Sequence, residues 1–222
     1  MPIKFGTDGW RSKMTDDFTF DNVAICANAV AQFILKNHGS QSLVLVGYDT
    51  RANSLAYAQL VAEILTRSNL STLVSSEPVP TPALSYNILS KSASGGVVIT
   101  ASHNPPDWNG FKYKPHYGGS ASPSIIAEIE STILNRENPQ IDTDHELNKI
   151  NPDSPLYFSP KKDYFSHIET IVDLNAIKRS GINVLVDCMY GAGQNYLPEF
   201  LVGSAGRTDS IRCLLYTSDA AD

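Results

Sequence analysis

The chain has 222 residues, of which 42% are hydrophobic, and it carries a formal charge of −6 at pH 7. This length allows one large domain or two small ones, with enough apolar side chains for a core. The negative charge argues against a nucleic-acid partner, and no apolar stretch approaches the roughly 20 residues that span a bilayer.

The amino terminus and the cysteines indicate where such a protein resides. The first residues lack the apolar core of a signal peptide. Cys26, Cys188 and Cys213 show neither paired nor metal-ligand spacing. We therefore predict a cytoplasmic location, with Cys26 and Cys188 as small buried apolar residues.

Strands and helices are predicted to follow one another through the first 133 residues. Apolar runs predict strands at residues 3–11, 42–47, 72–75, 97–99 and 111–114. A 3.6-residue period predicts helices at residues 21–37, 54–68, 81–89 and 122–133, with Thr81 as an N-cap. This order favours an α/β fold, a mainly parallel mixed sheet with helices on both faces.

The pattern changes twice further along the chain. We predict a first α/β/α domain at residues 1–138 and a linker rich in Asn, Pro and Asp at 139–160. A truncated second α/β/α domain follows at 161–202, with a helix at 161–179, a strand at 182–186 and a helix at 194–201. Residues 203–222 fit no pattern and are predicted to be a non-native tail, the alternative being a divergent helix and strand.

One stretch, GGVVITASHNPPDWNGFK at residues 95–112, concentrates the polar chemistry. Its apolar strand ends in a turn of small residues that contains Ser102, and the two following prolines cannot continue a ladder. A hydroxyl is thereby presented at the carboxyl end of a buried strand, where open α/β sheets bind ligands. With His103, Asn104 and Lys112 nearby, this serine is suited to handling phosphate.

Residues 100–112 closely resemble the phosphoserine loop of the α-D-phosphohexomutases, the phosphoglucomutase/phosphomannomutase family. The strings FGTDGWR at residues 5–11 and GYDTR at 47–51 are similar to two further signatures of that family. The resemblance extends over roughly residues 1–201 and identifies the chain as an amino-terminal fragment. It departs from the family pattern at Cys188, where family members usually carry proline.

The resemblance implies an isomerase that moves a phosphoryl group between O1 and O6 of a hexose phosphate. The group would pass through a phosphoserine at Ser102 and through a hexose 1,6-bisphosphate, which also serves as activator. Family members bind Mg²⁺ through one phosphoserine oxygen and three aspartates of an Asp-x-Asp-x-Asp-Arg loop. Because that loop is absent, Ser102 would be the only metal ligand here, and we expect the fragment to be inactive alone.

The same resemblance assigns roles to the polar residues around Ser102. Lys112 would be an acid/base partner or a positive clamp, and Arg11 would bind phosphate bidentately. His103 and Asn104 would bind and orient phosphate or substrate. We do not expect His103 to be the base for Ser102, because adjacent strand residues point to opposite sides.

Two further polar residues are predicted to be structural, namely Arg51 and Asn109. The expected partners are small-molecule hexose phosphates of carbohydrate metabolism, with no nucleic acid and no membrane. Whether the hexose is glucose, mannose or an amino sugar stays open.

Two other functions compete with this one. The first is a sugar-phosphate-binding domain without turnover, favoured by the missing aspartate loop. The second, a Ser/His hydrolase, fits poorly because Ser102 lacks Gly-x-Ser-x-Gly flanks and its histidine is contiguous.

Overall fold

The computed structural model describes residues 3–6, 8–134, 156–203 and 206–213. The chain divides into two units, Met1–Pro160 and Lys161–Asp222, and each is described by itself. None of the described helices is long and apolar enough to cross a membrane.

The described part of the first unit contains six strands and four helices. The strands are β1 (Trp10–Lys13), β2 (Leu43–Tyr48), β3 (Ser71–Ser75), β4 (Gly95–Ile99), β5 (Trp108–Pro115) and β6 (Tyr157–Phe158). The helices are α1 (Phe20–His38), α2 (Ser54–Arg67), α3 (Thr81–Ser90) and α4 (Pro123–Leu134).

The six strands form one sheet in the order β1-β5-β4-β2-β3-β6. Strand β2 pairs in parallel with β3 and β4, and β3 pairs in parallel with β6. Strand β5 is antiparallel to both of its neighbours, β1 and β4, so it alone runs against the other five. The sheet is therefore mixed and mainly parallel, as predicted.

Helices cover both faces of β2 and β4. Val44 and Val46 belong to a core shared with α1, α2 and α4, while α3 contacts the same two strands from the other face. Leu45, which alternates with these valines, is equally inaccessible to solvent. Burial from both sides explains why these strands are uniformly apolar, and it confirms the predicted fold class.

Two glycines allow α3 to approach the sheet closely. A Cβ atom on Gly47 would lie 2.5 Å from Cγ1 of Val79 in the segment before α3. A Cβ atom on Gly96 would lie 2.8 Å from Cδ1 of Ile88 on α3 and 2.9 Å from the carbonyl oxygen of Leu45. Gly96, the second glycine of β4, therefore sets the distance between α3 and the sheet.

Several predicted boundaries in the first unit are wrong. Thr81 is the first residue of α3 rather than its N-cap, which is Pro80. Strand β5 begins at Trp108 rather than at residue 111, because its first four residues pair with β1. The regular part of the first predicted strand starts only at Trp10.

The predicted linker at residues 139–160 is too long at its carboxyl end. Tyr157 and Phe158 pair with Val74 and Ser75 and form an edge strand of the first sheet. The side-chain amide of Asn87 donates to the carbonyl oxygen of Pro160 at 2.8 Å. Residues 135–155 lie outside the described residues, so the proposed boundary at residue 138 stays a prediction.

The second unit contains a parallel pair of strands and three helices among its described residues. These elements are α5 (Lys161–Ile171), α6 (Leu174–Ser180), β7 (Asn183–Asp187), α7 (Tyr196–Phe200) and β8 (Arg207–Ile211). The single helix predicted at 161–179 is divided, because the Asp173 carboxylate accepts a hydrogen bond from the Ala176 amide and caps a new helix.

The predicted tail at residues 203–222 includes strand β8. It pairs in parallel with β7 from Asn183↔Arg207 to Asp187↔Ile211. Residues 204, 205 and 214–222 lie outside the described residues. The non-native origin of the tail stays a prediction.

The expectation for Cys188 is wrong. Its side chain is not a buried apolar residue but is joined to Cys213 in a disulfide across a separation of 25 residues. The pairing of β7 with β8 brings the two cysteines together, and sequence spacing alone could not indicate this. Cys26, in contrast, is a fully buried residue of α1, as predicted.

We predict that Gly96→Ala destabilises the first unit by about 1–3 kcal/mol, because the backbone oxygen of Leu45 cannot move away from the added methyl group. Gly6→Ala is the matched control, since its Cβ would lie at an ordinary 3.5 Å from the Gly9 oxygen. Tryptophan fluorescence during urea unfolding measures the difference, because both tryptophans, Trp10 and Trp108, lie in the first unit. Equal midpoints for the two variants would contradict the packing argument.

Candidate active site

Ser102 lies in the turn that follows β4. Ala101 is fully buried and anchors this turn, while Ser102 itself is exposed. The amide of Ser102 donates to the Thr100 hydroxyl at 3.0 Å, and the Thr100 amide donates to the carbonyl oxygen of Gly110 at 2.9 Å. The serine hydroxyl is thus held at the carboxyl edge of the sheet, where it was predicted.

The backbone of Ser102 adopts a left-handed conformation, with φ at +59°. For an L-residue with a side chain this conformation costs roughly 1–2 kcal/mol. Such strain persists only where surrounding contacts hold the backbone, and it is frequent at functional sites.

The turn also brings His103 to the same side as Ser102. The Ser102 Oγ and His103 Nδ1 atoms lie 3.5 Å apart, at the outer limit of a hydrogen bond. The argument that adjacent residues must point apart is therefore wrong here, because it holds for strands and these two residues lie in a turn.

Arg11 and Asn104 are joined directly. Arg11 lies on β1 opposite Gly110 of β5, and its Nη1 donates to the Oδ1 of Asn104 at 3.0 Å. This contact links the amino-terminal signature to the serine turn, the segment of residues 100–107 between β4 and β5, across 93 residues of sequence.

Lys112 lies on β5 with its side chain almost fully buried, at 6% exposure. Its Nζ is 2.7 Å from Oδ2 of Asp8, and the Nζ of the similarly buried Lys114 is 3.0 Å from Oδ1 of Asp8. The hydroxyl of Ser120 donates to Oδ1 at 3.3 Å. One carboxylate therefore serves two buried lysines.

The cations lie on one face of the sheet. Arg11 is directly opposite Gly110, and residues 110, 112 and 114 of β5 alternate onto the same face. Arg11, Lys112 and Lys114 thus share one face of the sheet, and the single carboxylate of Asp8 pairs with both lysines. This excess of positive charge suits a phosphate ligand.

Asp8 and Lys114 were missed by the sequence reasoning. Their signals were present: Asp8 stands inside the FGTDGWR string, and Lys114 follows Lys112 at the two-residue period of a strand face.

The ionisation of Asp8 is decided by two opposing effects. Burial disfavours the charged carboxylate, but hydrogen bonds and charge interactions with Lys112 and Lys114 outweigh it and hold the pKa of Asp8 below its usual range.

Arg51 and Asn109 support the turn from beneath. The Arg51 guanidinium donates to four carbonyl oxygens between residues 102 and 108. Asn109 is fully buried, and its side-chain amide donates to the Ser54 hydroxyl at 2.9 Å. These contacts agree with the structural roles predicted for both residues.

A complete metal site is not found in the part of the chain that the structure describes. No group of three His, Cys, Asp or Glu side chains there could hold a metal ion. The protein ligands present therefore do not by themselves fit Mg²⁺.

Comparison with known proteins places the chain in a family. A family model described as "Phosphoglucomutase/phosphomannomutase, alpha/beta/alpha domain I" matches residues 2–140. The phosphoglucomutase of Komagataeibacter xylinus is 27% identical over 87% of this chain and 37% of its own length. The phosphoglucosamine mutase of Chlamydia trachomatis serovar A is also 27% identical, over 87% of this chain and 41% of its own.

Two solved structures have a fold similar to that of this chain. A protein assigned as a phosphomannomutase from Thermus thermophilus superposes with a TM-score of 0.81 at 31% identity, covering 96% of this chain and 46% of that one. The open form of parafusin, a Paramecium phosphoglucomutase, shares the fold with a TM-score of 0.78 at 17% identity, covering 95% of this chain and 43% of that one.

The chain spans less than half the length of each of these relatives. The matched residues 2–140 nevertheless make up more than half of its 222 residues. The chain therefore belongs to the phosphoglucomutase/phosphomannomutase family.

Proposed function

We propose that this chain supplies the phosphoserine-bearing domain of a phosphohexomutase. The observation that carries the proposal is the placement of Ser102, an exposed hydroxyl on a strained turn. A hydrogen bond between Arg11 and Asn104 joins this turn to the face of the sheet that carries Arg11, Lys112 and Lys114. Phosphoryl transfer needs a carrier group, alignment and neutralisation of charge, and these residues can provide all three.

Each transfer of the phosphoryl group breaks one oxygen–phosphorus bond and forms another, and Ser102 takes part in both transfers. In the forward step the bond between phosphorus and Ser102 Oγ breaks as a bond to a hydroxyl oxygen of the hexose monophosphate forms, which yields the 1,6-bisphosphate. The hexose hydroxyl loses its proton, and Ser102 Oγ gains one. The other phosphoryl group then returns to Ser102 and leaves the isomeric monophosphate.

We assign the roles by position. Arg11 would bind phosphate, and Asn104, already in contact with Arg11, would orient it. Lys112 would be the positive clamp or acid/base partner at the transferred group. His103, at 3.5 Å from the serine hydroxyl, would orient phosphate or substrate.

Mg²⁺ belongs to the proposal with one ligand only, an oxygen of a phosphate on Ser102. The described residues lack a metal cluster, so we assign no step to the ion and expect this chain to be inactive alone. The same observation favours the alternative, a sugar-phosphate-binding domain without turnover. The cytoplasmic location stays a prediction.

We predict that Ser102→Ala, in the full-length protein encoded by the gene, lowers mutase turnover by at least about 10³-fold, because the covalent carrier is lost. The measurements are a coupled assay with hexose 1-phosphate and the mass of the Ser102 peptide after incubation with hexose 1,6-bisphosphate. Ser131→Ala is the control, since its hydroxyl bonds to the Glu128 carbonyl of its own helix. Full activity in Ser102→Ala would overturn the assignment of Ser102.

The shared carboxylate of Asp8 gives a second prediction. Because its pKa is lowered by folding, Asp8 stabilises the fold above the pKa of the unfolded carboxyl, 3.8. That contribution is lost as the pH falls through the depressed pKa of the folded state.

We therefore predict that Asp8→Asn costs about 1–2 kcal/mol at pH 7. This is less than a fully buried pair would lose, because the carboxylate is 36% exposed and solvent screens it. The difference from wild type should be complete above the unfolded pKa of 3.8 and should shrink as the pH falls below it and through the depressed pKa of the folded state. Urea unfolding at several pH values measures it, with exposed Asp16→Asn as control; a difference independent of pH would contradict the electrostatic origin.

A further inference from the structure

The guanidinium of Arg51 contacts the backbone of residues 102–108 and the carboxylate of Asp49. Nη2 donates to the carbonyl oxygens of Ser102 at 2.9 Å and Asn104 at 2.6 Å. Nη1 donates to those of Pro105 at 2.6 Å and Trp108 at 3.1 Å. Nε pairs with Oδ2 of Asp49 at 3.2 Å.

These contacts use the four N–H groups of Nη1 and Nη2 as hydrogen-bond donors and place Nε in an ion pair with Asp49. Nη1 and Nη2 therefore have no N–H group left for a phosphate or a sugar hydroxyl. Its side chain is also only 13% exposed. Direct binding of substrate by Arg51 would require one of the bonds to the turn to break.

The turn has few donors of its own. Pro105 and Pro106 lack N–H groups, so the segment cannot satisfy its carbonyl oxygens by internal ladders. Short-range backbone bonds within it run from the Asn104 amide to the Ala101 carbonyl and from the Trp108 amide to the Pro105 carbonyl. The fork of Arg51 supplies donors that a proline-rich turn lacks.

One of these bonds bears directly on Ser102. Rotating Ser102 out of its left-handed conformation would turn its carbonyl oxygen away from Nη2 of Arg51. A hydrogen bond to a charged donor is generally stronger than a neutral one, and four such bonds act on this one turn. Together they oppose relaxation of the strained backbone.

The backbone segment that carries Arg51 is itself held in place. Asp49 follows β2, and its amide donates to the Ile99 carbonyl at the end of β4 at 3.0 Å. The Oδ1 of Asp49 accepts hydrogen bonds from the Arg51 amide at 3.0 Å and the Ser54 hydroxyl at 2.7 Å. Through Arg51 and Asp49, the serine turn is thereby held in place relative to the ends of two buried strands, β2 and β4.

We propose that Arg51 is a positioning residue for phosphoryl transfer: it holds the serine turn, and the left-handed backbone of Ser102, without touching substrate. The transfer step rests on the proposed function, whereas the holding of the turn does not. Lysine cannot replace Arg51, because a single ammonium group with three N–H groups cannot bind four carbonyl oxygens and the Asp49 carboxylate at once.

The first test uses this chain and amide hydrogen exchange. In Arg51→Lys and Arg51→Ala the amides of Asn104 and Trp108 should exchange at least about tenfold faster, while those of β2 and β4 keep their protection. Guanidinium ion, but not methylammonium, should restore protection in Arg51→Ala. Arg67→Ala is the control, because that side chain is 57% exposed and its ion pair is with Glu63 on the same helix. Unchanged exchange in the turn of folded Arg51→Lys would overturn the proposal.

The second test uses the full-length protein encoded by the gene. We expect Arg51→Lys to lower kcat by about 10²-fold with KM for the hexose phosphate within about twofold, because the carrier is misplaced while the binding groups remain. A raised KM with unchanged kcat would overturn the proposal in favour of substrate binding by Arg51. If wild-type Ser102 takes up no phosphoryl group, the proposed function and the transfer step fail together, and the exchange experiment still decides the holding of the turn.

Discussion

The covering of β2 and β4 from both sides leaves no place for polar side chains along the centre of the sheet. Val44, Leu45 and Val46 are all fully inaccessible to solvent, and position 96 has room only for glycine because α3 lies against it. Polar groups can therefore appear only where these strands end. Asp49 follows β2 and Ser102 follows β4, and because the two strands are parallel, both residues reach the same edge of the sheet. The location of the candidate site is thus a consequence of how the core is built.

Strand β5 is the exception to this arrangement, because it brings Lys112 and Lys114 to buried positions. A buried ammonium group is costly unless it is paired, and Asp8 pairs with both. Asp8 can reach them because the amino-terminal turn lies directly on β5. A Cβ atom at Gly9, where φ is +101°, would lie 2.5 Å from the carbonyl oxygen of Phe111. Gly9 of the amino-terminal signature is therefore required for a steric reason, because a side chain would not fit there. The acid beside it, Asp8, has an electrostatic role, because it pairs with the two buried lysines.

The serine turn combines a strained residue with a strong external support. Ser102 projects its hydroxyl from a left-handed backbone, and His103 lies on the same side because the segment is a turn and not a strand. Arg51, although 51 residues away from Ser102 in sequence, donates to four carbonyl oxygens between residues 102 and 108. A rigid turn has a chemical use in the proposed reaction, since in-line transfer depends on where the carrier oxygen is held.

From the sequence alone, the alternation of apolar runs determined the α/β fold, and three signature strings determined the family. The string around Ser102 located His103, Asn104 and Lys112, and the amino-terminal string located Arg11. The edge strand at Tyr157–Phe158, the disulfide of Cys188, the shared carboxylate of Asp8 and the four carbonyl partners of Arg51 were decided only by the tertiary structure. The reason is physical. Periodicity and short motifs report which side of an element is buried and what chemistry is nearby in sequence. Hydrogen bonds and ion pairs depend instead on distances between atoms, such as those of Asp8 and Lys112, which stand 104 positions apart in the chain, and folding alone sets those distances.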